Sequence, residues 1–311
     1  MSSTAILFPG QGSQSIGMGL DLASEHPVYK ETLQEASEVL GRDLLELFEN
    51  GPAEDLNRTD ITQPAILSVS VASWRLLQSQ KELTPTYMAG HSLGEYSALV
   101  CSGALAFKDA VSLVNKRGEY MTQAVPQGVG AMAAILGLAD EEVSAACNDA
   151  AEDQIVSPVN FNSPGQVVIA GHKEAVERAS AVCQEKGASK VIPLVVSGPF
   201  HCALMKPAAD QLKETLDTIT INSPEVPVIN NVDVSIVSEP DQIKEALIRQ
   251  IYNPVRWLET IQWLESNGTE AYVECGPGKV LAGLNKRINR RSVVHTTNNV
   301  ATFEKLLEKL S

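Results

Sequence analysis

The sequence predicts an α/β protein: a mostly parallel sheet covered by helices, carrying an inserted ferredoxin-like (βαββαβ) subdomain. Three observations carry this expectation. Short apolar runs alternate with segments of helical period along most of the chain, the signature of βαβ units. One interior stretch departs from that rhythm and reads strand, helix, strand, strand, helix, strand, with a hairpin turn in the middle. The length of 311 residues and a hydrophobic content of 44% supply a sizeable core, and a charged content of 20% excludes a disordered or fibrous chain. We therefore place the core in residues 1–127 and 198–311 and the subdomain in residues 128–197.

The elements follow in order. An apolar strand over 4–8 runs into the Gly/Gln/Ser loop 9–14. Helical patterns occupy 29–40 and 43–49, broken by Gly41 and stopped by Gly51-Pro52. A helix is expected over 64–80 and a short buried strand over 85–90. Helices over 93–101 and 108–123 come next, before Pro126 and Gly128. The inserted unit comprises strands 131–138, 155–161, 166–170 and 190–196, with helices 140–151 and 173–186. Asn162-Ser-Pro-Gly165 provides the hairpin turn. Beyond it we expect helix 203–216, strand 226–230, helices 241–251 and 255–265, and strand 271–274. A Gly276-Pro-Gly278 loop, another helix, strand 292–295 and helix 302–310 complete the chain.

Composition narrows the function classes. With 24 Lys and Arg against 38 Asp and Glu, the formal charge is −14, so no general attraction to nucleic acid or to an anionic membrane is expected. The five cysteines are scattered, and none forms a CxxC pair or a Cys/His cluster of zinc spacing, so no metal is expected. The first residues lack a basic stretch followed by an apolar one, and no apolar run reaches the length of a membrane span. These features point to a cytoplasmic protein.

The strongest local signal is Gly90-His91-Ser92-Leu93-Gly94, a G-x-S-x-G sequence with a strand before it and a helix after it. A sharp turn there would expose the Ser92 hydroxyl at the carboxyl end of the strand, with the N–H of Leu93 facing the same place. Two readings are open at this point: a catalytic nucleophile, or a serine that caps the helix between two glycines. A nucleophilic serine needs a base, and there are five histidines. His26 precedes Pro27 at a helix boundary, His91 should turn away from Ser92, His172 begins a helix and His295 sits in a late strand. His201 follows Ser197-Gly-Pro-Phe200 between a strand and a helix, where α/β proteins build their sites. It is the candidate base, the alternative being a structural histidine. Arg117, taken alone, reads as a solvated helix residue.

Five segments in order and spacing carry a resemblance. They are Phe8-Pro-Gly-Gln-Gly-Ser-Gln14, Gly90-His-Ser-Leu-Gly-Glu-Tyr-Ser97, Lys116-Arg-Gly118, Gly198-Pro-Phe-His201 and Glu274-Cys-Gly-Pro-Gly278. From Ala5 to about Arg287 the chain resembles the malonyl-CoA:acyl-carrier-protein transacylases, the acyltransferase family of fatty acid synthesis. The resemblance implies a hydrolase-like core, Ser92 as acylated nucleophile, His201 as general base and then acid, and an oxyanion hole from the N–H groups of Gln11 and Leu93. It implies Arg117 as the clamp for the malonyl carboxylate, and a backbone carbonyl near Gln250 as the partner that orients His201. Gln63 lies either at the site or simply at a helix start. Phe200 resembles the malonyl-selective pattern, in which a bulky ring disfavours an α-methyl group. Cys202 is a weak rival nucleophile, since Ser92 already occupies the turn.

The implied partners are malonyl-CoA and acyl carrier protein, with no cofactor beyond the coenzyme A thioester substrate, and the chain is expected to be a monomer. A hydrolase or thioesterase using the same serine and a non-catalytic carrier-binding protein are the competing functions. Because malonyl-CoA and carrier proteins of the family are acidic, Lys279, Lys286, Arg287, Arg290 and Arg291, with Lys186 and Lys190, are read either as helping to dock these anionic partners or as a solvated basic helix face.

Overall fold

The computed structural model describes residues 3–310 and contains two sheets. Strands β1 (Thr4–Phe8), β2 (Tyr87–Gly90), β7 (Val228–Ile229), β8 (Ala271–Glu274) and β9 (Val293–Thr296) form a wholly parallel sheet in the order β7-β2-β1-β8-β9. Strands β3 (Gly130–Leu136), β4 (Val156–Ser163), β5 (Gln166–His172) and β6 (Lys190–Pro193) form an antiparallel sheet in the order β4-β5-β3-β6. With helices Asp140–Ala151 and Lys173–Glu185 between them, these four strands make the split βαβ arrangement expected of the ferredoxin-like unit.

The apolar character of β1 follows from its position in the middle of the sheet. Alternate residues face opposite layers: Ile6 and Phe8 enter the larger core, whereas Ala5 and Leu7 enter a second core with Trp257 and Ile261. The antiparallel sheet is also two-sided. Ala133 and Ile135 pack under its own helices, while Met132, Val168 and Ala170 belong to the main core. That shared face seats the small sheet against the large one, and the cleft lies between them.

Several boundaries differ from the sequence expectations, each for a local reason. The helix expected from Pro64 begins five residues earlier and runs Thr59–Gln80, with Pro64 inside it. A proline there removes one N–H and leaves the carbonyl four residues back without its helical partner. The Asn115 side chain donates to that carbonyl, Asp60 O, at 2.8 Å. Strand β6 stops at Pro193 rather than at residue 196, and the next helix opens with a 3₁₀ turn, Ala203–Met205, before Lys206–Asp217. Strand β7 has only two residues, because Asn230 and Asn231 leave the strand to make side-chain hydrogen bonds. Two short helices, Leu20–Glu25 and Ala53–Leu56, lack the length to show a helical period in the sequence.

Candidate active site

The carboxyl ends of β1, β2 and β8 meet where the strand order reverses direction, the place where open α/β sheets build sites. The chain turns from β2 into helix Leu93–Cys101 through Ser92, whose φ of 51° and ψ of −105° lie outside the ordinary regions for an L-residue. The flanking glycines make this turn possible. A Cβ on Gly90 would lie 1.9 Å from the Gly94 carbonyl carbon, and one on Gly94 would lie 2.0 Å from Phe8 O. Asn231 holds the turn from below, accepting from Ser92 N at 2.7 Å and donating to Gly90 O at 2.7 Å. The strain is thus fixed by surrounding structure, as positive-φ residues at functional sites require.

Ser92 Oγ and His201 Nε2 are 2.7 Å apart. His201 Nδ1 donates to the Gln250 carbonyl oxygen at 2.8 Å. A carbonyl can only accept, so the proton is held on Nδ1 and Nε2 is left to accept from the serine hydroxyl. No carboxylate is needed to set this tautomer. Helix Pro240–Gln250 supplies the carbonyl from its last residue. Burial, reinforced by the nearby Arg117 charge, pushes the His201 imidazole down to about 3.

Arg117 projects from helix Phe107–Gln123 and is only 1% exposed. Its guanidinium donates to Gln63 Oε1 at 2.7 Å, to Gln250 Oε1 at 2.8 Å and to Ser92 Oγ at 3.2 Å. It also lies over the Tyr96 ring, 5.2 Å from the centroid. Among the described residues no carboxylate forms an ion pair with it. Among the described residues its Nε–H has no hydrogen-bond partner. A buried cation held only by neutral oxygens is costly unless an anion completes it.

A cleft of about 630 Å³ opens over these groups, bounded by Gly10–Gly12, Ser92, Leu93 and His201 on the core side and by Met132, Ala134 and Val168 on the small sheet. The N–H groups of Gln11 and Leu93 donate to no acceptor among the described residues. Gly10 lies so close to the turn that a Cβ there would meet His91 O at 2.4 Å. The loop that carries Gln11 is thereby held against the serine.

The residues singled out in the sequence therefore converge; His91 also lines the cleft, but it, His172 and His26 have partners of their own. His91 Nε2 pairs with Asn162 Oδ1 at 2.8 Å, His172 Nδ1 accepts from Ile155 N, and His26 packs on Phe303. Cys202 is buried, its thiol donates to Pro199 O, and burial pushes it up to about 11. Gln63 is a buried partner of Arg117 in the second turn of its helix, so the site reading holds over the helix-start reading. Sequence reasoning missed Asn231 and Glu95. The first had only an Asn-Asn pair after a strand as a signal, and the second lay in plain view three residues after Ser92.

The chain as a whole is similar to known proteins. A model of the acyl transferase domain matches residues 6–305. The malonyl CoA-acyl carrier protein transacylase of Escherichia coli K12 is 56% identical over 308 residues, covering 99% of this chain and 100% of that protein. The chain belongs to the malonyl CoA-acyl carrier protein transacylase family. Among solved structures, an acyl carrier protein S-malonyltransferase from Vibrio cholerae superposes with a TM-score of 0.96 at 57% identity, covering 98% of this chain and 100% of that one. A malonyl-transacylase in complex with a type II PKS acyl-carrier protein superposes with a TM-score of 0.97 at 54% identity, covering 99% and 100%. Membership in this transacylase family agrees with the α/β fold, and no helix among the described residues is long and apolar enough to cross a membrane.

The depressed His201 has a directly observable consequence. The imidazole is expected to remain neutral, protonated at Nδ1, from roughly pH 8 to pH 5. A nitrogen-15 NMR titration reads this, and an imidazolium signal growing in near the ordinary 6.5 would contradict it. The sign for stability follows. Because the unfolded chain takes a proton that the native imidazole refuses, this residue's contribution is lost as pH falls from 6.5 toward 3.

Proposed function

We propose that this chain transfers the malonyl group of malonyl-CoA to the phosphopantetheine thiol of acyl carrier protein, through a malonyl-serine ester, in fatty acid synthesis. The observation that supports it most is a buried, uncompensated Arg117 guanidinium 3.2 Å from the hydroxyl of an activated serine. In this reading Ser92 Oγ attacks the thioester carbonyl while its proton passes to His201 Nε2. The developing oxyanion meets the N–H groups of Gln11 and Leu93. As the carbon–sulfur bond breaks, His201 returns the proton to the departing thiolate of coenzyme A. The carrier's thiol then attacks the ester, His201 taking its proton and giving it back to Ser92, so no net proton is consumed. Arg117 takes the far carboxylate in a two-point contact, which offsets its charge and lets the His201 imidazole hold a proton more readily.

Phe200, buried at the cleft wall, fills the space that an α-methyl substituent needs. Transfer is separated from hydrolysis by supplying the protein with malonyl-CoA and measuring malonyl delivered to carrier protein against malonate released to water. Dominant release to water would assign the serine to a hydrolase.

The carrier is expected at the rim formed by helix Val280–Ile288 and β6. Val280, Leu281 and Leu284 of that helix line the cleft, and Arg287 donates to Gln166 Oε1 at 2.7 Å on the same wall. Lys190 stands in register with Leu136, which is paired with the cleft-lining Gln166, and we take the basic residues of these two elements as one basic border. In a protein of charge −14 such a border is a local exception that can guide an acidic partner. Reversing the charge of Arg287 and Arg290 should raise KM for carrier protein several-fold at low salt. Unaltered KM would move the docking site elsewhere.

A further inference from the structure

Glu95 is unusual for its place. It sits in the first turn of helix Leu93–Cys101, behind the nucleophile, and is only 3% exposed. One of its oxygens, Oε2, accepts from Gln250 Nε2 at 2.8 Å and from the backbone N–H of Asn231 at 2.9 Å. Both donors belong to residues that hold the reacting groups. Asn231 Oδ1 fixes Ser92 N, and the Gln250 carbonyl orients His201. The Gln250 side-chain amide lies between Arg117 and Glu95, giving its oxygen to the guanidinium and its nitrogen to the carboxylate and to Ser92 O.

That amide can face two ways, and only one adds the Gln250 oxygen to the acceptors of Arg117, Gln63 Oε1 and Ser92 Oγ. Turned over, it would present an NH₂ group to a guanidinium, donor against donor. Two acceptors face the amide nitrogen in the productive orientation, Glu95 Oε2 at 2.8 Å and, at the longer distance of 3.1 Å, Ser92 O. The amide also keeps the two opposite charges from pairing directly, so the guanidinium is left for a substrate anion. Glu95 is thus linked to malonyl selection through Gln250 and to the serine turn through Asn231.

We propose that Glu95 is a positioning residue for acyl transfer, which fixes the Gln250 amide so that Arg117 is presented to a carboxylate-bearing acyl group. The inference rests on the malonyl reading given above. Its distinguishing requirement is an acceptor at this position rather than a negative charge, because the two hydrogen bonds are what orient the amide and Asn231.

The test uses the full-length protein and its variants Glu95→Gln and Glu95→Ala, each normalised to the fraction of molecules that acylate. Acylation rates are compared for malonyl-CoA and acetyl-CoA. Glu95→Gln keeps an acceptor oxygen of similar reach and should retain the malonyl-to-acetyl ratio within about threefold. Glu95→Ala should lower that ratio about tenfold or more, beyond any change in thermal stability. A ratio preserved in Glu95→Ala overturns the proposal, as a purely structural residue would move stability alone. Equal losses in both variants overturn it too, by assigning the effect to charge. Failure of the wild-type protein to acylate with malonyl-CoA would instead refute the underlying reading, so the two failures are distinguishable.

Discussion

Replacing Ser92 by alanine is expected to lower malonyl transfer by about 10⁴- to 10⁶-fold and to abolish the covalent malonyl adduct seen by mass spectrometry. His201→Ala should lose nearly as much, and the double variant hardly more than either alone. Such non-additivity follows from the geometry. The hydroxyl and the Nε2 acceptor, 2.7 Å apart, act as one unit, so removing either removes the activated nucleophile. On the proposed reading, the residual rate would come from binding and from the N–H groups of Gln11 and Leu93. Fully additive losses would mean that the two side chains contribute to separate steps. The same position carries a stability signature. Ser92→Gly should raise the unfolding temperature, since glycine adopts a φ of 51° and a ψ of −105° without the cost, about 1–3 kcal/mol, that a Cβ incurs there. A variant more stable than the parent and inactive would show that the fold tolerates this strain because the nucleophile requires it.

How much of this was legible before the structure depended on the range over which each signal acts. Strand β1 and the 90–94 turn were readable because their determinants are local: an apolar run, then glycines whose Cβ atoms would collide with neighbouring backbone. The inserted antiparallel unit was readable from its strand and helix order alone. Helix Thr59–Gln80 is expected only from Pro64 because a proline reads as a helix start, whereas its compensation by Asn115 comes from 51 residues away in sequence. Arg117 illustrates the opposite limit. On a helix it resembles any solvated arginine, and nothing local tells that its guanidinium is buried against Gln63 and Gln250. Only the family resemblance could place it. Asn231 and the acceptor role of Glu95 lay beyond both routes, since they emerge when residues 95, 231 and 250 are brought together. The orienting of His201 by a backbone carbonyl is likewise invisible to a search for acidic side chains.

Arg117→Ala should lower kcat/KM for malonyl-CoA by about 10²- to 10³-fold, while acetyl transfer stays level or rises. The magnitude comes from the loss of a charge-assisted, two-point contact with a carboxylate in a dry site, roughly 2–5 kcal/mol at 1.4 kcal/mol per decade. An acetyl group has no carboxylate to offer, so on the proposed reading it would leave Arg117 buried and unanswered and be disfavoured. Removing the guanidinium removes that penalty. Arg117→Lys is expected to recover only part of the malonyl rate, because an ammonium is a point charge and cannot span Gln63 Oε1, Gln250 Oε1 and a substrate carboxylate together. Thermal stability supplies an independent reading. An ordinary buried side chain of this size, cut to alanine, would cost several kcal/mol. Here the lost packing is partly offset by deleting a desolvated charge with no ion-pair partner among the described residues, so the fall in stability should be smaller than for truncating the neighbouring core residue Leu113. Steady-state rates with the two thioesters and a melting curve decide both points. An unchanged malonyl-to-acetyl ratio would detach Arg117 from acyl selection, and a loss of stability as large as that of Leu113→Ala would show that its charge is compensated after all.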